Sequence, residues 1–175
     1  MKSHHGQLGG GSRARTNRSR SRGFSLIELL IVVAIILVIA AIAIPNFLRS
    51  RMAANEAAAV AACRKITTAL VVYSTSYNNS FASQLSDLGP PSGGGAVGPT
   101  AAELLDEVLT AGQKHGYRFT YEPEDANGDG VFEAFIIYAD PISPGVTGNR
   151  HFFTDTSGVI RANPTGSASA TDTPI

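Results

Sequence analysis

The chain has 175 residues, a formal net charge of zero and one cysteine, Cys63. A single cysteine excludes an intrachain disulfide, so Cys63 is interpreted as a buried helix residue rather than a reactive thiol. The first 22 residues hold six of the 14 basic residues and no acidic one, and without them the chain would carry a charge of −6. An acidic chain is not expected to bind nucleic acid, because such binding requires clustered Lys and Arg.

The chain begins with a segment rich in Arg, Ser and Gly that has nothing apolar enough to pack. We expect residues 1–23 to form a disordered basic leader. Its arginines precede an apolar run, which by the positive-inside bias predicts a cytoplasmic amino terminus. This topology signal is favoured over an RNA-binding tail.

The apolar run covers residues 24–44 and contains only two polar residues, Ser25 and Glu28. As a helix it would extend roughly 30 Å, the thickness of the hydrocarbon core of a bilayer. A carboxylate in such a helix costs on the order of 3 kcal/mol, so Glu28 is expected to have a cationic partner. Cleavage after Gly23 would create one, because the new ammonium group of Phe24 would lie one helical turn from Glu28.

A basic leader followed by GFSLIELL, from Gly23 onward, resembles the class III signal of type IV pilins and of the pseudopilins of type II secretion. The resemblance implies that a prepilin peptidase cuts after Gly23 and that Phe24 is then N-methylated. It also implies that Glu28 pairs with the amino terminus of an adjacent subunit. Pro45 occupies the position where such proteins commonly loosen the first helix in the fibre. A secretory signal cut after Ala43 is the competing interpretation, and the long apolar run with its internal carboxylate disfavours it.

Residues 45–77 are predicted to form the amphipathic half of the same long helix, since apolar residues recur at helical spacing. The predicted stripe consists of Met52, Ala59, Cys63, Ile66, Leu70, Tyr73 and Tyr77.

Residues 78–175 are predicted to form a small head. Its first part, Asn78 to Thr100, is rich in Gly and Pro and should be a loop anchored by Leu85 and Leu88. A capping-box pattern from Thr100 to Glu103 predicts a short helix over 101–110, ended by Gly112.

Alternating apolar residues then predict a four-stranded antiparallel sheet that covers the amphipathic helix half, followed by a loose tail from Asn163. The fold class is therefore α+β, with a long amino-terminal helix packed against a small head, as in pilins. The predicted strands are 117–121, 131–139, 151–154 and 159–162.

A candidate calcium site lies in the turn between the first two strands. Asp125, Asn127 and Asp129 alternate before a glycine, and Glu133 lies within reach, as in the first part of a calcium loop. The complete EF-hand spacing fails because its twelfth position is Ile136. A polar hairpin turn without metal is the alternative.

No set of residues at catalytic spacing is present, so no enzyme activity and no obligatory cofactor are predicted. The resemblance implies a type IV pilin, the subunit of a helical surface filament, stored as a single-pass inner-membrane precursor. Its partners would be membrane lipid before assembly, prepilin peptidase, the assembly machinery of the inner membrane and copies of itself. The alternatives are a secretion pseudopilin in a periplasmic rod and, in another class, a membrane-anchored binding protein or enzyme.

Overall fold

The computed structural model describes residues 23–175, so the predicted leader, apart from Gly23, lies outside the described residues. The first element is the long helix α1 (Leu26–Ser76), as predicted. The chain divides after Ala41 into two compact units. In the first unit, α1 is almost entirely apolar and none of its side chains is buried. By length and composition, α1 could cross a membrane.

The second unit, Ile42–Ile175, combines the rest of α1 with an antiparallel sheet. The sheet contains six strands in sequential order, rather than the predicted four. Two short strands at its edges account for the difference. The strands are β1 (Gln113–Lys114), β2 (Tyr117–Glu124), β3 (Ala134–Pro141), β4 (His151–Asp155), β5 (Arg161–Asn163) and β6 (Thr173–Pro174).

The predicted apolar stripe of α1 forms one side of the core. Five of its seven members are buried, whereas Met52 and Tyr77 at its ends are half-buried. The facing side comes from alternate residues of the sheet, because successive side chains in a strand point to opposite faces. These sheet residues are Tyr117, Phe119, Phe135, Ile137, Ala139 and Phe152.

The sheet runs alongside α1, and its two ends can be identified from contacts. At one end, called here the proximal end, the side chain of Asn55 donates to the carbonyl of Thr147 at 2.8 Å. At the other, called the distal end, Phe81 just beyond the helix donates its N–H to the carbonyl of Phe132 at 2.9 Å. The β2–β3 turn therefore lies next to the carboxy-terminal end of α1.

The predicted helix over 101–110 is wrong for most of its length. Helix α2 comprises only Glu107–Thr110, and its N-cap is Asp106, whose side chain accepts from the N–H of Leu109. Glu103, the expected capping-box acid, has a φ of 54° and is not helical. The backbone before α2 instead bonds to the carbonyls of a 3-10 helix, Leu85–Leu88, and its neighbour. The predicted anchors Leu85 and Leu88 are both buried.

The predicted loose tail is also partly wrong, because β6 pairs with β5. The side chain of Asp172 accepts from the amide of Asn163 and from both the N–H and the hydroxyl of Ser169. The hydrogen bonds from Ser169 are the main reason that the pKa of Asp172 lies below its ordinary value, and the bond from Asn163 adds to them. Hydrogen bonds within the segment from Asn163 to Asp172 therefore hold it in a defined conformation, whereas a loose tail was predicted.

Candidate processing and assembly site

The predicted cleavage site precedes the first helical residue. Gly23 and Phe24 are exposed, and neither belongs to α1. A Cβ atom placed on Gly23 would meet no other atom within 4 Å. The fold of the described chain therefore does not require glycine at position 23. If glycine is needed there, it is needed for recognition by a processing enzyme.

Glu28 lies in the first turn of α1 and accepts a hydrogen bond there. The N–H of Ser25 donates to Glu28 Oε2 at 3.0 Å, and the carbonyl of Ser25 accepts the N–H of Leu29. Ser25 is thus the N-cap and Glu28 occupies N3, which gives the acid-to-backbone half of a capping box. The carboxylate is also favoured by the positive end of the helix dipole. This cap was not among the predictions above, although its Ser-x-x-Glu spacing is visible in the sequence.

Pro45 lies inside α1, which is assigned as helix on both sides of it. Proline has no N–H, so the carbonyl of Ala41 has no helical donor at this turn. The next side chain makes an additional contact, because Asn46 Nδ2 donates to the carbonyl of Ile42 at 3.1 Å. Loosening of the helix at Pro45 within a fibre stays a prediction.

The candidate calcium residues are close together in the β2–β3 turn. Asp125, Asp129 and Glu133 each offer a carboxylate oxygen, and these oxygens lie within 4.8 Å of one another. The turn is also bonded to itself: Asp125 accepts the N–H of both Gly128 and Gly130. These backbone bonds, that from Gly130 first, lower the pKa of the Asp125 carboxyl.

The remaining candidate residues have further partners in the same turn. Asn127 Oδ1 accepts the N–H of Asp129, and Glu133 Oε2 accepts the N–H of Ala126. The donor set consists of oxygens, which suits calcium. Because the oxygens already accept backbone N–H groups, the geometry is equally that of a polar hairpin turn.

An ion pair that the sequence did not reveal joins α1 to the start of β4 across 94 residues. Glu56 Oε2 accepts from Arg150 Nε at 2.9 Å, while Glu56 Oε1 accepts the backbone N–H of Asn149 and of Arg150. Burial raises the pKa of Glu56, but these hydrogen bonds outweigh burial and hold the pKa below its ordinary 4.5. We call this group of contacts the Glu56 clip.

Two further polar contacts stabilise the second unit. Asp106 pairs with Lys65 at 3.0 Å and with Lys114 at 2.9 Å, and hydrogen bonds from Lys114 and then Lys65 hold its pKa well below the ordinary range. His151 Nδ1 lies 2.6 Å from Asp140 Oδ1 on the neighbouring strand. Among residues 23–175, no hydroxyl or thiol group hydrogen-bonds to this histidine, so the pair has the geometry of a cross-strand contact.

Comparison with known proteins finds similarity in the amino-terminal segment of the chain. Residues 18–44 match the family model described as the prokaryotic N-terminal methylation motif. The chain is 50% identical over 50 residues to the type IV major pilin protein PilA of Myxococcus xanthus, an alignment that covers 29% of this chain and 23% of PilA. It is 58% identical over 36 residues to the type IV wide pilus major component PilA4 of Thermus thermophilus.

The second alignment covers 21% of this chain and 28% of PilA4, so the chain spans about a quarter of the length of these curated relatives. No solved structure matches the chain significantly. The matched residues contain the predicted cleavage site and Glu28, and α1 and the antiparallel sheet have the predicted α+β arrangement. The amino-terminal segment of the chain thus carries the prokaryotic N-terminal methylation motif, and the chain is similar over this short stretch to two type IV pilus proteins.

Proposed function

We propose that this protein is the structural subunit of a helical surface filament, a type IV pilin. The observation that carries the proposal is the methylation-motif match over residues 18–44, in which Gly23 and Phe24 precede the helix and Glu28 lies in its first turn. A prepilin peptidase would cut the exposed Gly23–Phe24 bond, and Phe24 would then be N-methylated. The role is structural rather than catalytic.

Before assembly, the apolar part of α1 would anchor the precursor in the inner membrane. All of its large side chains between Leu26 and Ile44 are exposed in the isolated chain. Such a surface is stable only in lipid or against other apolar helices. The basic leader would remain cytoplasmic and the second unit would face outward. In the filament, helix contacts between subunits would replace lipid contacts.

Glu28 would set the register of subunits in the filament. Its carboxylate accepts from the Ser25 N–H, one residue from the amino group that cleavage creates at Phe24. In the intact chain the nitrogen of Phe24 belongs to an uncharged peptide bond. After cleavage it becomes an ammonium group, and charge-assisted hydrogen bonds are about twice as strong as neutral ones. Cleavage would therefore add a cation at the end of α1 that a neighbouring Glu28 can bind.

The close alternative is a pseudopilin of a secretion system, which would assemble into a periplasmic rod by the same contacts. Both relatives reported above are major components of pili, which favours the surface filament. A membrane-anchored binding protein or enzyme would instead start at Met1 or, after a secretory cut, at Ile44. Normal surface fibres with failed protein secretion in a deletion strain would favour the pseudopilin.

Replacing Glu28 tests the proposal. We expect Glu28→Leu to be processed normally but to lower the yield of sheared surface fibres at least about tenfold, the effect of losing roughly 1.4 kcal/mol per contact. Glu107→Leu is the matched control, because Glu107 is an exposed acid of the second unit whose carboxylate makes no hydrogen bond among the described residues. Normal fibre yield from Glu28→Leu would refute the proposed role of the carboxylate.

A further inference from the structure

We propose that copies of this chain dock head to tail through oppositely charged ends of the unit Ile42–Ile175. The proposal rests on the filament function above and adds a contact surface outside the apolar helix. Its two halves are an exposed basic pair on α1 and an exposed acidic group at the distal end of the sheet. A second copy of the chain is the partner that carries both.

The acidic half is the β2–β3 turn and the strand ends that lead into it. Between Arg118 and Arg150 the sequence has six acidic residues and no Lys or Arg. Five of these acids belong to the distal end, and we call them the acidic end: Glu122, Glu124, Asp125, Asp129 and Glu133. Four are exposed and Asp125 is half-buried. Among residues 23–175, none of the five makes an ion pair.

The basic half is the pair Arg49 and Arg51 on α1. Both side chains are exposed. No acidic residue occurs between Glu28 and Glu56, and Glu56 is occupied by Arg150. Within the part of the chain that the structure describes, neither arginine has a carboxylate partner. The two side chains leave α1 on roughly opposite sides, because residues two apart on an α-helix do not share a face. Each arginine is thus available separately to an acidic surface on another molecule.

The two charged groups lie at opposite ends of the unit. Glu56, just after the arginines, contacts the proximal end of the sheet through Arg150, whereas Ser80 accepts the N–H of Phe132 at the distal end. From Arg49 to the end of α1 at Ser76 the helix rises roughly 40 Å. This distance exceeds the Debye length of about 8 Å at physiological salt several-fold, so the two groups cannot neutralise each other within one copy.

A contact between different surface patches is heterologous, and unless its rotation closes a ring it continues from copy to copy as a helical filament. One arginine of the basic pair in one copy facing the acidic end of the next copy is such a contact. It would direct the approach of subunits and penalise the reversed orientation, because reversal would bring like charges together. The charge distribution therefore supplies polarity to the filament, while the apolar helix supplies most of the buried area.

Charge reversal tests the contact in the full chain. We expect Arg49→Glu/Arg51→Glu and Glu122→Lys/Glu124→Lys each to lower the yield of sheared fibres at least about tenfold, and the combined fourfold variant to restore at least half of the wild-type yield. Glu122 and Glu124 are chosen because they lie outside the candidate calcium group. Arg64→Glu is the control, since Arg64 is exposed and lies between the two ends. It should assemble normally.

The proposal would be overturned if the fourfold variant did not recover its yield of sheared fibres while the wild type gave a normal yield. A different result would be loss of assembly in the arginine variant but normal assembly in the glutamate variant. It would contradict the proposal and assign Arg49 and Arg51 to lipid phosphates at the outward face of the inner membrane. If the wild type forms no surface fibres, the filament function fails separately. The contact can then still be tested by cross-linking in the cell envelope.

For that measurement we would treat the Arg51→Cys/Glu124→Cys variant with a short thiol-to-thiol cross-linker. A heterologous contact predicts a ladder of dimers, trimers and larger species on a denaturing gel, because each copy carries both cysteines at different surfaces. The natural Cys63 is buried and should not react. Arg64→Cys/Glu124→Cys should give no ladder. Products that stop at the dimer, or no products, would contradict the head-to-tail contact.

Discussion

Replacing Glu56 by alanine should destabilise the second unit by removing the Glu56 clip. Its carboxylate accepts three hydrogen bonds, two from the backbone N–H groups of Asn149 and Arg150 and one from the Arg150 guanidinium. The Glu56 side chain is 13% exposed, whereas that of Arg150 is 43% exposed. The arginine can therefore return to water, but the segment that leads into β4 loses its contact with α1.

The size of the effect follows from this geometry. Breaking a fully buried ion pair costs about 3–5 kcal/mol, and a single hydrogen bond to a charged group contributes about 1.5–3 kcal/mol. Because Arg150 is partly solvated, we expect a loss of about 2–3 kcal/mol in the free energy of unfolding. For a domain of this size that corresponds to roughly 6–12 °C in melting temperature. Glu56→Gln keeps an acceptor but loses the charge, so its loss should be about half as large.

Near-ultraviolet circular dichroism of the detergent-solubilised full chain is the appropriate assay. The chain has no tryptophan and five tyrosines, all in the second unit, so the tyrosine signal reports on that unit alone. Glu122→Gln is the control, because Glu122 is exposed and makes no ion pair among residues 23–175. It should melt close to the wild type. A Glu56→Ala variant that melts as the wild type does would refute the reasoning.

The pH dependence provides a second check on the same residue. The folded-state pKa of Glu56 lies below the ordinary 4.5. A carboxyl with a depressed pKa contributes stability that is present above its unfolded pKa and is lost as the pH falls through the folded value. The wild type should therefore lose its advantage over Glu56→Gln progressively below about pH 4.5. A stability difference unchanged between about pH 6 and about pH 3 would contradict this account.

Three further predictions concern the packing, a charged cap and the candidate calcium site. Gly148→Ala should cost at least about 2 kcal/mol of unfolding free energy, measured by urea denaturation, because the added Cβ would overlap the buried ring of Tyr117. Asp106→Ala should cost about 1–2 kcal/mol in the same assay and Asp106→Asn less, because asparagine retains the N-cap acceptor; equal losses would contradict the capping role. The calcium hypothesis predicts that millimolar Ca²⁺, but not Mg²⁺, raises the melting temperature of the wild type and not that of Asp125→Asn/Glu133→Gln; no shift in the wild type would refute it.

The elements that the sequence predicts well are those with a long, regular pattern. The apolar run and the stripe through Cys63, Ile66 and Leu70 predict α1 and its buried face, since helical spacing repeats over many turns. Strands β2 to β4 follow from alternation over several residues. The edge strands β1 and β6 have two residues each, which is too short for any period to appear.

The false helix over 101–110 shows how a local pattern is overridden by tertiary contacts. Thr100 and Glu103 have capping-box spacing, yet the N–H groups of Leu104 and Leu105 both donate to the carbonyl of Leu88. These long-range bonds satisfy the backbone without a helix. The loose tail failed for a similar reason, since Asp172 binds Asn163 and Ser169 at positions that composition alone does not relate.

The residues of the candidate site stand out in the sequence, whereas the contacts that they make do not. Gly23, Phe24 and Glu28 belong to a local motif, and the match over residues 18–44 covers them, while their roles in cleavage and assembly stay predictions. The Ser25–Glu28 hydrogen bond could have been predicted from Ser-x-x-Glu spacing. The Glu56 clip and the opposite charged ends of the second unit depend on how the sheet runs along α1, and no local spacing encodes that arrangement.

The central claim is that the chain is processed as a prepilin and assembled into a surface filament. The most direct test is the amino-terminal residue and the intact mass of the protein in sheared surface material, compared with those in native membranes. The account predicts a start at N-methylated Phe24 in the sheared fibres, and Gly23→Ala should abolish that start without affecting the fold. A start at Met1 or at Ile44, or a mature form confined to the cell envelope, would contradict it.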